Sequence, residues 1–317
     1  MNKVILAHFA LFALNMLYGA NHLLAKGVMP DYLGPNAFIF LRAVTTTLLF
    51  IAIFLIFIRE KVNRKDLPRL AVTGFFGVAM NQLFFFNGLE LTSPINVGII
   101  MTSTPILVVI LSYFILKEKI TILKAVGVFV GAIGAIALTT LGKEPGFDSP
   151  MGDLFIFINA LSFGIYLVIV KPLMSKYKPL TVITYNFIFG IGFILCYPGV
   201  WSDLSEAQFS LFPDVVWLKI GYVIFGATFL TYLLNIFAIK HVSPSVSGSY
   251  IYTQPMLVMI FTVLFAYFGW TESFVGAISL EKIAYMLMIF LGVFLISRST
   301  YLQRKRKASG DKDDSDL

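Results

Sequence analysis

The sequence has little charge, one cysteine and three histidines, and these shortages exclude several classes of protein. Charged residues make up 13% of the 317 residues and apolar residues 58%, whereas soluble domains average about 25% charged and about 45–50% apolar residues. The chain is therefore too apolar for a water-soluble globule or a disordered protein. With Cys196 as the single cysteine, neither a disulfide framework nor a zinc site of the Cys/His type is expected. We predict no bound metal and no cofactor.

Ten long apolar stretches make up most of the chain. A helix needs about 20 apolar residues to cross the roughly 30 Å hydrocarbon core of a bilayer, so we predict an all-α integral membrane protein with ten transmembrane helices. The first stretch is too long for the apolar region of a signal peptide and is predicted to be retained. The predicted spans are 4–25, 35–58, 70–89, 95–115, 122–142, 152–174, 181–200, 215–239, 245–268 and 283–300.

The connections between these spans differ in charge. With the N-terminus placed on one side, that side receives 19 of the 24 Lys and Arg residues, and the opposite side holds ten of the 17 acidic residues. Lys and Arg concentrate on the cytoplasmic side of membrane proteins, so we predict a multi-pass inner-membrane protein with both termini in the cytoplasm. The net charge of +7 is then an orientation signal, and no nucleic-acid partner is expected.

The chain contains an internal repeat. Residues 93–110 and 243–260 align at a constant offset of 150, and the register continues back without gaps through 70–92 and 220–242. The identical pairs include Ser93/Ser243, Pro94/Pro244, Gly98/Gly248 and Pro105/Pro255. A unit of five helices has an odd number of spans, so the second copy is predicted to enter the membrane from the opposite side. Inverted repeats of this kind are typical of secondary transporters, in which two similar halves provide alternating access.

Several short motifs resemble the EamA family of the drug/metabolite transporter superfamily. They are Leu17-Tyr18-Gly19-Ala20-Asn21, Leu41-Arg42, residues 81–89 (NQLFFFNGL), Thr92-Ser93-Pro94, Thr104-Pro105 and residues 116–121 (LKEKIT). The resemblance covers about 4–300 and implies ten helices around a central cavity, with transport of small metabolites, often as export. The sequence departs from the family pattern between the last two spans, where extra residues within 269–282 lie on the predicted outer face.

The repeat and the resemblance together predict how the chain is organised. We expect a first five-helix EamA-like repeat over 1–142 and an outer, periplasmic linker over 143–151. A second, inverted five-helix repeat follows over 152–300, and a cytoplasmic tail with basic and then acidic residues over 301–317.

Polar residues cluster around two prolines in the middle of apolar spans. Pro105 and Pro255 each remove a helix hydrogen bond, and a freed carbonyl inside a membrane must face protein, a cavity or water. We expect the polar patches of the two halves to meet near the midplane, where transporters of this kind bind substrate. The predicted substrate-binding residues are Asn15, Tyr18, Asn81, Gln82, Thr102, Ser103, Thr231, Tyr232, Tyr252, Thr253 and Gln254. The alternative is that the prolines only bend their helices, while Ser and Thr bond helix carbonyls.

Titratable residues inside the spans are scarce. Arg42 lies within the second span, where its side chain is expected to reach the outer headgroups, although it is also a candidate contact for a substrate carboxylate or phosphate. His22 shares a helix face with Asn15 and Tyr18 and is expected to be an interfacial polar residue. No Asp or Glu lies in the middle of a predicted span, which argues against a strongly proton-driven mechanism.

These features favour a transporter of small organic metabolites, such as amino acids or similar amphipathic solutes, operating as an exporter. No hydrolase, kinase or redox motif is present, so no enzyme activity is predicted. The alternative is a non-transporting membrane protein, either a sensor or a membrane-embedded enzyme. A sensor needs a soluble output domain, and an enzyme needs buried catalytic acids or histidines. The expected partners are the small-molecule substrate and the lipid bilayer, and a monomer is compatible with the sequence.

Overall fold

The protein is helical throughout the part that the structure, a computed structural model, describes: residues 3–92, 97, 100–140, 149–268 and 280–309. Its main helices are α1 (Lys3–Lys26), α2 (Pro35–Ile53), α3 (Leu67–Gly74), α4 (Asn81–Leu91), α5 (Ser103–Leu116), α6 (Ile122–Thr140), α7 (Pro150–Val170), α8 (Pro179–Leu195), α9 (Pro198–Glu206), α10 (Asp214–Ile224), α11 (Thr231–His241), α12 (Pro244–Ser249), α13 (Gln254–Tyr267) and α14 (Leu280–Ser309). Many of these helices begin at a proline, because its fixed φ suits the first helical turn and its missing N–H is not needed there.

Within the described residues, six helical segments are long and apolar enough to cross a membrane, and a seventh is formed if the bent pair α8 and α9 is taken as one span. The six are Lys3–Asn21, Pro35–Ile58, Arg64–Leu91, Pro150–Lys176, Asp214–His241 and Ile283–Gln303. The other predicted spans, 95–115, 122–142 and 245–268, contain α5, α6 and α13, which fall short of that criterion within the described residues. The helical membrane fold is confirmed, and the count of ten spans stays a prediction.

The seventh predicted span, 181–200, is not one straight helix. Helix α8 ends at Leu195, α9 begins at Pro198, and the two axes differ by 76°. Tyr197 is extended between them, because the ring of a following proline disfavours the helical conformation of the residue before it. The indole Nε1 of Trp201 donates a hydrogen bond to the carbonyl of Leu195 at 3.0 Å, which holds α9 against the end of α8.

The end of the chain also differs from the prediction. The last span was expected to end at residue 300, but α14 continues to Ser309, so the first part of the predicted tail is helical. The outer insertion between 269 and 279, most of the 143–151 linker and the last residues of the tail lie outside the described residues.

The two halves exchange their first helices. Helix α1 packs against α11 and α13 of the second half, and α7 packs against α4 and α5 of the first half. In the repeat, α1 corresponds to α7, α4 to α11 and α5 to α13. The packing of α1 on α11 and α13 is therefore the same as that of α7 on α4 and α5. Two buried apolar clusters result. The larger includes Phe50 and Phe187, and the smaller joins Leu11 of α1 to Ile289 of α14.

Helix α6 packs directly on α14 through glycines. A Cβ atom added to Gly292 would lie 2.6 Å from the Cα of Gly131, and one added to Gly127 would lie 2.9 Å from the carbonyl oxygen of Gly292. The backbones are so close that there is no room for a side chain at these positions. Small residues allow membrane helices to approach each other in this way.

Candidate functional site

A cavity lies between the two halves, with walls formed by α1, α2, α4, α7, α11 and the region 247–254. Its volume is about 90 Å³, several times the roughly 10–15 Å³ that one ordered water requires, so it has room for a small solute or several waters. Seven amide side chains line it: Asn15, Asn21, Asn81, Gln82, Asn159, Asn235 and Gln254. Among the described lining residues there is one cation, Arg42, and no carboxylate.

Two π turns lie at equivalent positions, each directly before a helix that lines the cavity. One, Phe75–Met80, joins α3 to α4, and the other, Phe225–Leu230, joins α10 to α11 at the repeat offset of 150. A π turn widens the helix and often occurs at functional sites. The carbonyl of Gly77 within the first turn accepts a hydrogen bond from the Tyr232 hydroxyl at 2.9 Å. The carbonyl of Phe76 accepts one from Ser162 at 2.6 Å, so side chains from the second half stabilise the irregular helix of the first.

Arg42 projects into the protein and bonds the second half. Its side chain is 3% exposed, and its Nε donates to the Thr228 hydroxyl at 2.9 Å. The guanidinium carbon lies 4.5 Å from the ring centre of Phe86 and 5.5 Å from that of Phe38. The Nη1 atom is buried and has no hydrogen-bond partner among the residues that the structure describes. The expectation that this side chain reaches the outer headgroups was wrong, because the Thr228 hydroxyl and the two rings hold it in the cavity wall.

Amide side chains connect the halves at another part of the cavity. Gln254 donates to the Oδ1 of Asn15 at 3.0 Å, and the Nδ2 of Asn15 donates to the Leu11 carbonyl one turn earlier at 2.7 Å. Ser247 donates to the Oδ1 of Asn235 at 3.3 Å. The bridge from Asn15 to Gln254 joins the first helix of one half to a broken helix of the other, so relative movement of the halves must break or stretch it.

Other polar atoms at the cavity have no hydrogen-bond partner among the described residues. Neither amide atom of Gln82 makes a hydrogen bond of normal geometry there, although the Tyr232 hydroxyl is nearby. The Oδ1 atoms of Asn21 and Asn159 are buried and unbonded as well, whereas the Nδ2 of Asn159 donates to the Asn81 carbonyl at 2.7 Å. Buried polar groups are rarely left without partners, so these are the groups most available to water or a bound solute.

The cavity brings together six of the predicted substrate residues, together with Arg42. The six are Asn15, Tyr18, Asn81, Gln82, Tyr232 and Gln254. The other five predicted residues do not line it: Thr102, Ser103, Thr231, Tyr252 and Thr253. Thr231 donates to the Ala227 carbonyl and Thr253 to the Tyr250 carbonyl, each within its own helical segment, and Tyr252 donates to the Val128 carbonyl of α6. For these three the interactions agree with the alternative in which polar groups bond helix carbonyls.

The two prolines mark the starts of helices. Pro105 lies in the first turn of α5 and Pro255 in the first turn of α13, which follows a 3-10 turn, Tyr250–Thr253. The residues four positions before them, Met101 and Ile251, are related by the repeat and both line the cavity. Each half therefore contributes to the cavity a residue one turn before its proline.

Some cavity residues were not among the predicted substrate residues. Asn21 lies on the face of α1 that also carries Asn15 and Tyr18, and the 3.6-residue period of the helix was the signal that could have identified it. The prediction named His22 on this face, as an interfacial polar residue, and the side chain of His22 lies outside the described part of the structure. Ser247 and the aromatic residue Phe163 carry no signal that separates them from ordinary packing residues.

A polar cluster ties the halves at the end of the molecule predicted to be cytoplasmic. The Glu118 carboxylate accepts from Lys124 Nζ at 3.1 Å and from the Ser245 hydroxyl at 2.8 Å. Lys124 is 1% exposed, and Glu118 and Lys124 belong to the first half while Ser245 lies in α12 of the second. No group of His, Cys, Asp and Glu within the described residues is arranged to hold a metal ion.

The chain is similar to known transporters over most of its length. The profile of the EamA-like transporter family matches residues 5–140 and 150–298, so the family's repeat unit occurs twice. An uncharacterized transporter of Archaeoglobus fulgidus is 28% identical over 197 residues, 62% of this chain and 68% of the relative. The uncharacterized transporter YyaM of Bacillus subtilis is 28% identical over 258 residues, 80% of this chain and 84% of the relative.

The fold is also shared with a solved structure. A crystal structure superposes with a TM-score of 0.68 at 18% identity, covering 94% of this chain and 98% of the other. At this identity the similarity shows the fold alone. The family and the named relatives are transporters rather than enzymes. The protein therefore belongs to the EamA-like transporter family and is a multi-pass membrane protein.

Proposed function

We propose that the protein exports small organic metabolites across the inner membrane by alternating access, with amino acids or similar amphipathic solutes as the first class to test. One observation carries this proposal: the polar cavity lies between two repeated halves, and side chains of both halves meet in it. A cavity at a repeat interface, beside broken helices, is where secondary transporters bind their substrates.

The proposed architecture has ten transmembrane helices in two inverted repeats, 1–142 and 152–300, with both termini in the cytoplasm. The recurrence of the π turn at the offset of 150 and the exchange of α1 and α7 between halves support this arrangement. The charge difference between the two sides supports the orientation.

The proposed substrate-binding residues are the predicted ones that line the cavity, which are Asn15, Tyr18, Asn81, Gln82, Tyr232 and Gln254. Amides and tyrosines offer both donors and acceptors, and the surrounding Phe side chains offer apolar surface, so the lining suits an amphipathic solute. Pro105 and Pro255 are proposed to mark the helix breaks at which the halves move.

Purified protein in liposomes provides the test. A panel of labelled metabolites, led by the amino acids, is loaded inside, and efflux is compared with that from empty liposomes. If no solute of the panel leaves faster than from empty liposomes, the transport proposal fails.

A matched pair of variants tests the site. Gln82→Leu replaces an amide without hydrogen bonds by an apolar side chain of similar size, so we expect little loss of stability and at least a several-fold slower flux. Thr46→Val removes a hydroxyl that is equally buried and unbonded but does not line the cavity, and its flux should equal that of the wild type. Wild-type flux in Gln82→Leu would refute the placement of the site.

A further inference from the structure

The cavity contains a positive charge, and the described part of the chain provides no counter-ion for it. Arginine stays protonated in proteins, and none of the carboxylates described by the structure pairs with Arg42. The ion pairs that the structure gives are Lys124 with Glu118 and Lys176 with Asp66. Titratable groups near Arg42 include the hydroxyls of Tyr18 and Tyr232, which are neutral at physiological pH.

A purely structural role accounts poorly for this arrangement. An unpaired charge taken out of water is unfavourable, and removing one partner of a buried pair is strongly destabilising for the same reason. The contact of Arg42 with Thr228 uses one of five guanidinium donors, and the rings of Phe86 and Phe38 attract the cation without neutralising it. A helix that needed only packing here would be more stable with an apolar residue.

We propose that Arg42 binds an anionic group, a carboxylate or a phosphate, of the transported solute, so that the substrate class is organic acids, including amino acids held by their carboxylate. This inference rests on the proposed transport function and deepens it. The guanidinium is anchored through Nε and stacked on aromatic rings, while its buried Nη1 is unbonded. A guanidinium fixed in this way is suited to carboxylate and phosphate oxygens, which it binds with charge-assisted hydrogen bonds.

The rest of the cavity is consistent with such a solute. The unbonded amide of Gln82 provides a neutral donor and a neutral acceptor, and the unbonded Oδ1 atoms of Asn21 and Asn159 provide acceptors for a hydroxyl or an ammonium group. The described lining has no carboxylate that would attract a cation, so solutes with a net positive charge are disfavoured. Neutral analogues that lack the acid group leave Arg42 unpaired and are expected to bind weakly.

The test uses pairs of solutes that differ only in the acid group. One arm compares amino acids with their carboxamides, and a second compares phosphate monoesters with the corresponding alcohols. Flux into liposomes is measured for the wild type, Arg42→Gln, Arg42→Lys and the control Arg64→Gln, which removes an exposed arginine. The stability of detergent-purified protein is measured with each solute, and with chloride alone, as a shift in the midpoint of thermal unfolding.

We expect the wild type to carry at least one class of acid at least tenfold faster than its neutral analogue. Arg42→Gln should lose about 10- to 100-fold for that acid, the effect of one charged hydrogen bond, and little for the neutral analogue. Arg42→Lys should retain part of the activity and Arg64→Gln all of it. The arm that responds identifies the anion as a carboxylate or a phosphate.

Three results would overturn the inference. The first is equal flux of acids and neutral analogues through the wild type. The second is an equal loss for both in Arg42→Gln, which is the signature of a structural role. The third is thermal stabilisation by chloride and by no organic acid. If Arg42→Gln does not fold, Thr228→Val is used instead. This variant keeps the charge of Arg42 but removes the hydroxyl that binds its Nε, and it should still reduce the flux of acids selectively. Absence of flux for every solute would refute the transport function instead, and the thermal shifts would still decide whether Arg42 binds an anion.

Discussion

Two buried tyrosines allow the role of the cavity to be separated from the stability of the fold. The Tyr232 hydroxyl donates to the Gly77 carbonyl at 2.9 Å, and the Tyr252 hydroxyl donates to the Val128 carbonyl at 3.1 Å. Both side chains are at most 5% exposed, but only Tyr232 lines the cavity and bonds a π turn of the opposite half. Mutation of either tyrosine to phenylalanine removes one neutral hydrogen bond from a hydroxyl to a helix carbonyl.

We expect Tyr232→Phe and Tyr252→Phe to lose similar amounts of stability. A neutral hydrogen bond contributes about 0.5–1.5 kcal/mol, and bonds between membrane helices average near the lower end of that range, about 0.6 kcal/mol. The two thermal unfolding midpoints should therefore fall together. Transport should differ, because Tyr232→Phe also changes the site. A loss of about 1 kcal/mol in the transition state for transport corresponds to roughly fivefold slower flux.

The assay is efflux from liposomes that contain equal amounts of folded protein, with unfolding followed on the same samples. The reasoning is refuted if the two variants slow transport equally, since the loss would then follow stability alone. It is also refuted if Tyr232→Phe transports like the wild type while its stability falls, because the bond to Gly77 would then serve only the fold.

Three further predictions concern the polar cluster of Glu118, Lys124 and Ser245, the packing of α6 on α14, and the orientation of the protein in the membrane. Ser245→Ala removes a hydrogen bond between the halves while Lys124 and Glu118 stay paired. A thiol reagent added on the cytoplasmic side should therefore react faster with a cysteine introduced by Asn235→Cys in a Cys196→Ser background, and an unchanged rate would contradict a role of the Ser245 bond in holding the halves together. Gly292→Val would place a side chain against the α6 backbone, and overpacking of about 1–3 kcal/mol should lower the unfolding midpoint. An unchanged midpoint, as expected if residue 292 faced lipid, would contradict this packing. Cys196, exposed at the end of α8, should react with an impermeant maleimide added outside intact cells, and labelling only after lysis would reverse the proposed topology.

Much of the fold was predictable because the bilayer restricts the options. A helical membrane span must be apolar over its whole length, so composition and length located the helices. The orientation that the charge of the connections indicates stays a prediction. The bend at Pro198 was missed although the sequence carries a proline there, because an apolar run of suitable length was taken as one helix. The extension of α14 to Ser309 was missed because a polar helix that leaves the membrane lacks the apolar signal.

The site was predictable where repeat symmetry and polarity coincide, as at Asn81, Gln82 and Tyr232. It was not predictable for Thr253 or Tyr252, because sequence alone does not tell whether a polar group faces the cavity or bonds a helix carbonyl. The orientation of Arg42 was also beyond the sequence. Snorkelling and inward pairing are both compatible with its depth, and only the position of Thr228 and of the Phe86 ring distinguishes them.

The two π turns carry information about how this protein arose. A π turn contains one residue more than the α-helix it interrupts, and an extra residue at the same offset in both halves is most simply explained by one insertion in a single ancestral unit. That insertion would then predate the gene duplication, as would the irregular helix itself. Each turn has since acquired different stabilising groups. The first turn accepts the hydroxyls of Tyr232 and Ser162, and in the second Thr228 receives Arg42. The copies have thus kept the irregular turn and diverged in the groups that stabilise it.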